Sequence, residues 1–124
     1  MKRTLFDQYG GFSAVRRIVG DFYDRIVDSE EISSYFVAVD MRNLVDHQTK
    51  FIAQVMGGPV SYTDEALQRI HSRLDIQSEH FDEMALLLRE TLQDHEVESS
   101  DVTAICNEIF SRKHFIINSV VKRD

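Results

Sequence analysis

Apolar side chains recur along this chain at three- and four-residue spacing, the signature of helices with one buried face. Val15, Ile18, Val19, Phe22 and Ile26 form one such stripe, and Leu44, Phe51, Ile52 and Val55 form a second. Phe81, Met84, Ala85, Leu88 and Leu92 make a third, and Val102, Ile105 and Ile109, with Phe115 or Ile116, a fourth. No segment keeps a two-residue alternation beside hairpin turn residues, so strands are not expected. The punctuation is as regular as the stripes. Thr4 caps a short helix from Leu5 to Tyr9 that Gly10-Gly11 stops, and Ser13 caps a longer one through Val27. Ile32 to Phe36 forms a turn-like helix; Asp40 caps the next, which runs to Met56 and stops at Gly57-Gly58-Pro59. After a loop over 59–63, Thr63 or Asp64 caps about two turns ending near Ser72. Ser78, with Glu79 and Phe81 nearby, starts a long helix, and Ser99 or Ser100 caps the last. The fold class expected is all-α.

Composition narrows the class without changing it. The 124 residues are enough for one domain, 1–124, with no repeats, linker or low-complexity segment. At 43% hydrophobic and 28% charged the chain has the balance of an ordinary globule. A net charge of -7, with no basic run longer than a pair such as Lys122-Arg123, argues against nucleic acid as a partner. No apolar run approaches the roughly 20 residues of a membrane span, and Asp7 interrupts the N-terminus before a signal-peptide core could form. The one cysteine, Cys106, is spaced with Val102 and Ile109 as a buried thiol; with no internal disulfide, it fits the cytoplasm. A monomer or weak dimer is expected.

Polar residues set inside the apolar stripes are the candidate chemistry. At about 100° per residue, Leu44, His47, Gln48, Phe51, Ile52 and Val55 fall within an arc of roughly 140°. Gln48 is out of place there, since a buried amide with no partner costs about 1–3 kcal/mol. Tyr23 follows Phe22 at the core face of the preceding helix, and His71 lies in the apolar-rich stretch Leu67 to Ile76. Without further context, His71 is more readily a surface or satisfied core histidine than a metal ligand. His80, in the first turn of the long helix, is expected to cap it, and His95 and His114 to lie at the surface.

The order of these landmarks resembles the group I truncated haemoglobins, a short form of the globin fold. The resemblance runs from about Leu5 to Ile109. It rests on the Gly10-Gly11 pair, Phe22-Tyr23, Tyr35-Phe36, Val39-Asp40-Met41, His47-Gln48 with Phe51, Gly57-Gly58-Pro59, Ile70-His71 with Leu74 and Ile76, and Glu79-His80-Phe81-Asp82. It implies a two-over-two helical sandwich around one haem b, with His71 as proximal iron ligand. Tyr23, Leu44 and Gln48 match the side where a gas binds, and Phe36 the aromatic wedged against the porphyrin. Phe51, Leu67, Leu74, Ile76, Phe81 and Met84 complete the expected pocket. His47 has two readings: a sixth, distal ligand to the iron, or a side chain at the haem edge pairing with a propionate or water. Arg42, Lys50, Arg69 and Arg73 are candidate propionate partners. Departures are Leu67 where relatives often carry methionine and Met84 where they carry a smaller residue; the complete lack of tryptophan disfavours the sister group that puts one beside the haem.

The function implied is binding of O₂, NO or CO. Tyr23 and Gln48 donate hydrogen bonds to the gas. In nitric oxide dioxygenase-type detoxification, oxygen is turned against nitric oxide to give nitrate, and a separate reductase restores the iron. Gas sensing, O₂ storage or electron transfer is the alternative, favoured if His47 closes the sixth site. A cofactor-free helical interaction module would leave Gln48 and His71 without a reason.

Overall fold

A computed structural model describes residues 4–60 and 76–113, and among these every regular element is helical. The predicted two-turn helix before Ser72 lies outside the described residues, as do Leu67, Arg69, His71, Arg73, Leu74, His114, Phe115 and Ile116.

Helix α1 spans Leu5–Gln8, with the Thr4 hydroxyl accepting the Asp7 N–H at 3.0 Å as its cap. Helix α2, Gly11–Val27, starts earlier than the serine signal suggested. Gly10 is its N-cap, at φ 112°, and Ser13 lies inside the helix, its Oγ accepting from Arg17 at 3.1 Å. A left-handed turn open to glycine thus sets this start, and no hydroxyl does. A 3₁₀ helix at Ser33–Phe36 leads to α3, Met41–Val55, where the Asp40 carboxylate accepts the Asn43 N–H at 3.3 Å, as expected.

Helix α4, Ser78–Asp94, begins at Ser78 as expected, whereas α5, Ser99–Phe110, lacks the serine cap expected at its start. The cap residues are Gln77 and Glu98, and neither offers its own side chain. Tyrosines from distant segments serve instead. The Tyr35 hydroxyl accepts the Gln77 N–H and the Tyr9 hydroxyl accepts the Glu98 N–H, both at 3.1 Å. Each satisfies one of the donors that a helix start leaves open.

The helices pack as two pairs, α2 with α3 and α4 with α5, joined by α2 against α4 and α3 against α5. Val15, Ile18, Val19, Phe22 and Ile26 of α2 are all buried, as are Phe81, Leu88, Leu92, Val102, Ile105, Cys106 and Ile109 across from them. At about 1.5–3 kcal/mol per large aliphatic or aromatic side chain, this shared face dominates the folding energy. The short α1 closes one end: the Phe6 N–H donates to the Met56 carbonyl at 2.9 Å, and its ring lies over Gly58. Arg25 of α2 binds Asp94 at 2.7 Å, at the far end of α4. Among the described residues no helix is long and apolar enough to cross a membrane.

Candidate functional site

The four long helices do not close completely on one another. Between them lies a cavity of about 390 Å³, within the range of small-molecule sites and far beyond the water-sized voids of ordinary cores. Helix α2 contributes Val19, Phe22 and Tyr23 to its wall, and α3 contributes Leu44, Gln48, Phe51 and Ile52. Phe81, Met84, Ala85 and Leu88 come from α4 and Ile109 from α5, with Ile76 just ahead of α4. Phe36, Ala38 and Val39 close the end nearest the 3₁₀ helix.

Of this lining only Tyr23 and Gln48 are polar, and both lack partners among the described residues. Gln48 is 8% exposed, and its amide makes no hydrogen bond to any described residue. The next residue shows the contrast: the hydroxyl of Thr49, equally buried, donates to the Val45 carbonyl at 2.7 Å. Tyr23 is held by edge contacts of its ring with Phe22 (4.8 Å between centroids) and Phe36 (5.9 Å). Burial pushes its phenol well above the ordinary value of 10.0, so it stays an O–H donor throughout the neutral range. Two unsatisfied donors on an otherwise apolar wall are costly unless something in the cavity accepts from them.

The residues expected at the pocket can now be placed. Tyr23, Phe36, Leu44, Gln48, Phe51, Ile76, Phe81 and Met84 all face this one cavity. Leu67, His71 and Leu74 lie outside the described residues, as do Arg69 and Arg73. His47 has an exposed side chain and does not line the cavity; it stands on the flank of α3 beside Asp46, which pairs with Arg16 of α2. Arg42 and Lys50 are exposed on the same helix. Val55, at the end of the α3 stripe, is half-buried and away from the cavity.

Sequence reasoning did not single out Val19, Phe22, Ala38, Val39, Ala85, Leu88 or Ile109 as pocket residues, though most stood in predicted core stripes. The signal was present for α2, where Val19, Phe22 and Tyr23 share the turn facing α3. His80 does not cap α4 as expected: its Nδ1 lies 2.6 Å from the Tyr35 hydroxyl. His95 is half-buried, with Nε2 3.1 Å from Asp21.

A flat apolar macrocycle with polar chemistry at its centre fits this arrangement. The wall supplies aliphatic and aromatic contact on every described side, and Tyr23 and Gln48 bring two polar groups to the same cavity. The haem b implied by the resemblance is therefore compatible with the residues present.

Comparison with known proteins agrees. The bacterial-like globin family matches residues 4–118. The group 1 truncated hemoglobin GlbN of Nostoc sp. (strain MUN 8820) is 29% identical over 115 residues, covering 93% of this chain and 98% of that protein. Its counterpart in Mycolicibacterium paratuberculosis is 31% identical over 106 residues, covering 86% of this chain and 78% of the relative. The truncated hemoglobin of Tetrahymena pyriformis, solved in the Fe(III) form, superposes with a TM-score of 0.83 at 24% identity, over 93% of this chain and 98% of that one. The helical pairing, the cavity and these matches lead to one conclusion: the chain belongs to the group 1 truncated haemoglobins of the bacterial-like globin family.

Proposed function

We propose that this globin uses haem b, with His71 as the proximal ligand, to hold dioxygen beside Tyr23 and Gln48 and to combine it with nitric oxide as nitrate. Haem-based gas binding follows from the family; the nitrate chemistry and the residue roles are our reading. The observation that carries it is a pair of donors without partners among the described residues, the Tyr23 hydroxyl and the Gln48 amide, in the lining of the apolar cavity.

Haem iron supplies an open coordination position for a diatomic gas and a one-electron couple. The rest falls to side chains. His71 offers a neutral imidazole nitrogen to the iron. Tyr23 and Gln48 donate to the gas, and their hydrogen bonds strengthen with the negative charge it carries, so they stabilise dioxygen more than carbon monoxide. Phe36, Leu44, Phe51 and Phe81 exclude the water that would compete for both donors. Arg42 and Lys50, exposed on α3, and Arg69 and Arg73 are the cations available to the propionates.

One dioxygen, one nitric oxide and one electron make one nitrate, so a separate reductase must return an electron after each turnover. We place the chain in the cytosol, where reductants are plentiful and a lone buried thiol such as Cys106 stays reduced. It acts as a monomer or weak dimer, because the exposed large apolar side chains among the described residues are scattered, Phe12 and Val27 at opposite ends of α2 and Val37, Leu86 and Phe110 on three other segments.

The test is single turnover. Mixing the reduced, oxygen-loaded protein with nitric oxide should yield one nitrate per haem and then stop until reductant is added. Loss of nitric oxide without nitrate would refute the dioxygenase reading and leave gas binding standing.

A further inference from the structure

Resting on the haem reading above, we infer that Tyr35 and His80 form a proton-coupled electron relay through which this globin reduces hydrogen peroxide with electrons from a small phenolic donor. Removing an electron from a phenol makes its proton extremely acidic. A tyrosine therefore gives up an electron readily only where a base takes the proton in the same step. A relay residue also needs a short path to the cavity.

The three described tyrosines separate on these two requirements. Tyr23 lines the cavity, but among the described residues its hydroxyl has no acceptor, and burial holds its proton in place. Tyr9 has a base, Asp101 Oδ2 at 2.6 Å, but it sits at the start of α5 and its ring touches no cavity aromatic. Tyr35 meets both requirements. His80 Nδ1 is 2.6 Å from its hydroxyl. Its ring lies 6.4 Å, edge on, from Phe36, which lines the cavity and lies 5.9 Å from Tyr23.

The Gln77 N–H donates to the Tyr35 oxygen at 3.1 Å, and the relay uses the His80 tautomer protonated on Nε2, whose bare Nδ1 accepts from the Tyr35 hydroxyl. Both side chains are half-buried, so a donor can reach Tyr35 and water can reach His80.

The steps balance. As the Tyr35 O–H bond breaks, its electron passes by way of Phe36 to the oxidised cofactor in the cavity, and its proton goes to His80 Nδ1. The neutral Tyr35 radical takes a hydrogen atom from the phenolic donor, re-forming its O–H bond, and His80 releases its proton to water. Two such cycles supply the two electrons and two protons that convert one hydrogen peroxide to two waters. The donor leaves as two phenoxyl radicals.

The experiment treats the haem-loaded protein with hydrogen peroxide and a nitroso spin trap, then locates the adduct by mass spectrometry. The adduct is expected on Tyr35. It should be lost in Tyr35→Phe, unchanged in Tyr9→Phe, and greatly reduced in His80→Gln. The glutamine carbonyl still accepts from Tyr35 but cannot carry a proton, so that variant separates proton transfer from mere support of α4. Trapping on another tyrosine, or full trapping on Tyr35 in His80→Gln, would overturn the relay. The Soret band of the same samples separates the two failures: without it the haem reading falls and the relay with it, whereas a normal band with no Tyr35 adduct sinks the relay alone.

Discussion

Replacing Tyr23 with phenylalanine should act with opposite signs on the loaded and the empty protein. In the loaded protein the phenol donates to a gas that carries partial negative charge. A hydrogen bond to a charged acceptor is worth about 1.5–3 kcal/mol. At about 1.4 kcal/mol per tenfold, its loss should speed dioxygen release roughly 10- to 150-fold. The lower half is the better expectation, because Gln48 remains as a second donor on the same wall. Carbon monoxide, a poorer acceptor, should leave at nearly its original rate. In the empty protein the hydroxyl has no partner among the described residues, so the substitution removes a desolvated polar group and no contact. Stability of the haem-free chain should hold or rise, by up to about 1 kcal/mol, since the half-buried ring retains some access to water. Stopped-flow displacement of dioxygen by excess carbon monoxide gives the first quantity, and urea unfolding of the haem-free form the second. An unchanged dioxygen off-rate would remove Tyr23 from the site. A clear loss of stability in the empty chain would show that its hydroxyl has a structural partner.

Four further outcomes follow from the same geometry. Above pH 10 the unfolded chain releases the Tyr23 proton while the folded chain, with its raised value, retains it, so stability complete below pH 10 should fall as pH climbs past it. The slope contributed is at most about 1.4 kcal/mol per pH unit, and a Tyr23→Phe chain that declines as steeply would contradict the assignment. Gly58→Ala places a Cβ 2.8 Å from the Phe6 ring and 3.0 Å from the Ala53 carbonyl, which should lower Tm by about 5–15 °C through overpacking of about 1–3 kcal/mol; an unaltered melt would mean that α1 yields freely. His47→Ala should leave the ferrous absorption spectrum unchanged, because that side chain is exposed and off the cavity; conversion from a six- to a five-coordinate spectrum would instead make His47 the distal ligand. Haem removal should leave a chain whose thermal unfolding is broader and lower, since a cavity of about 390 Å³ would stay unfilled; an equally cooperative apo melt would show that the cofactor adds little to folding.

How much of this could be seen in the sequence depended on how local each cause was. Thr4 and Asp40 cap their own helices through bonds three residues away, and both were legible. The α3 stripe was legible too, because a helix fixes the angle between Leu44, Gln48, Phe51 and Ile52 without help from its neighbours. His47 marks the limit of that argument. It lay at the edge of the predicted arc, and only the docking of α3 on α2, with Arg16 meeting Asp46, decides on which side of the edge it falls. The start of α4 at Ser78 was legible, but those of α2 and α5 were not, for related reasons. Ser13 and Ser99 or Ser100 are good cap residues, but a glycine turn and a tyrosine from elsewhere in the fold serve at those starts instead. The pairing of Tyr35 with His80 spans 45 positions and leaves no local trace.

The tyrosine that opens α5 has a bearing on how the chain folds. Tyr9 bonds to Glu98 and Asp101, 89 and 92 positions away, and so does across the molecule what a capping side chain ordinarily does within one turn. A helix with its own cap can nucleate early and hold its first amides while the rest of the chain is still unfolded. This one cannot, because its first turn is secured only when α1 has docked. Closing so long a loop delays that contact, and the beginning of α5 is tied to the global event with no local nucleus of its own. Its first amides should then be shielded from hydrogen exchange only to the extent that the whole molecule is, and loosening α1 at one edge of the fold would be felt at the start of a helix near the other end of the chain.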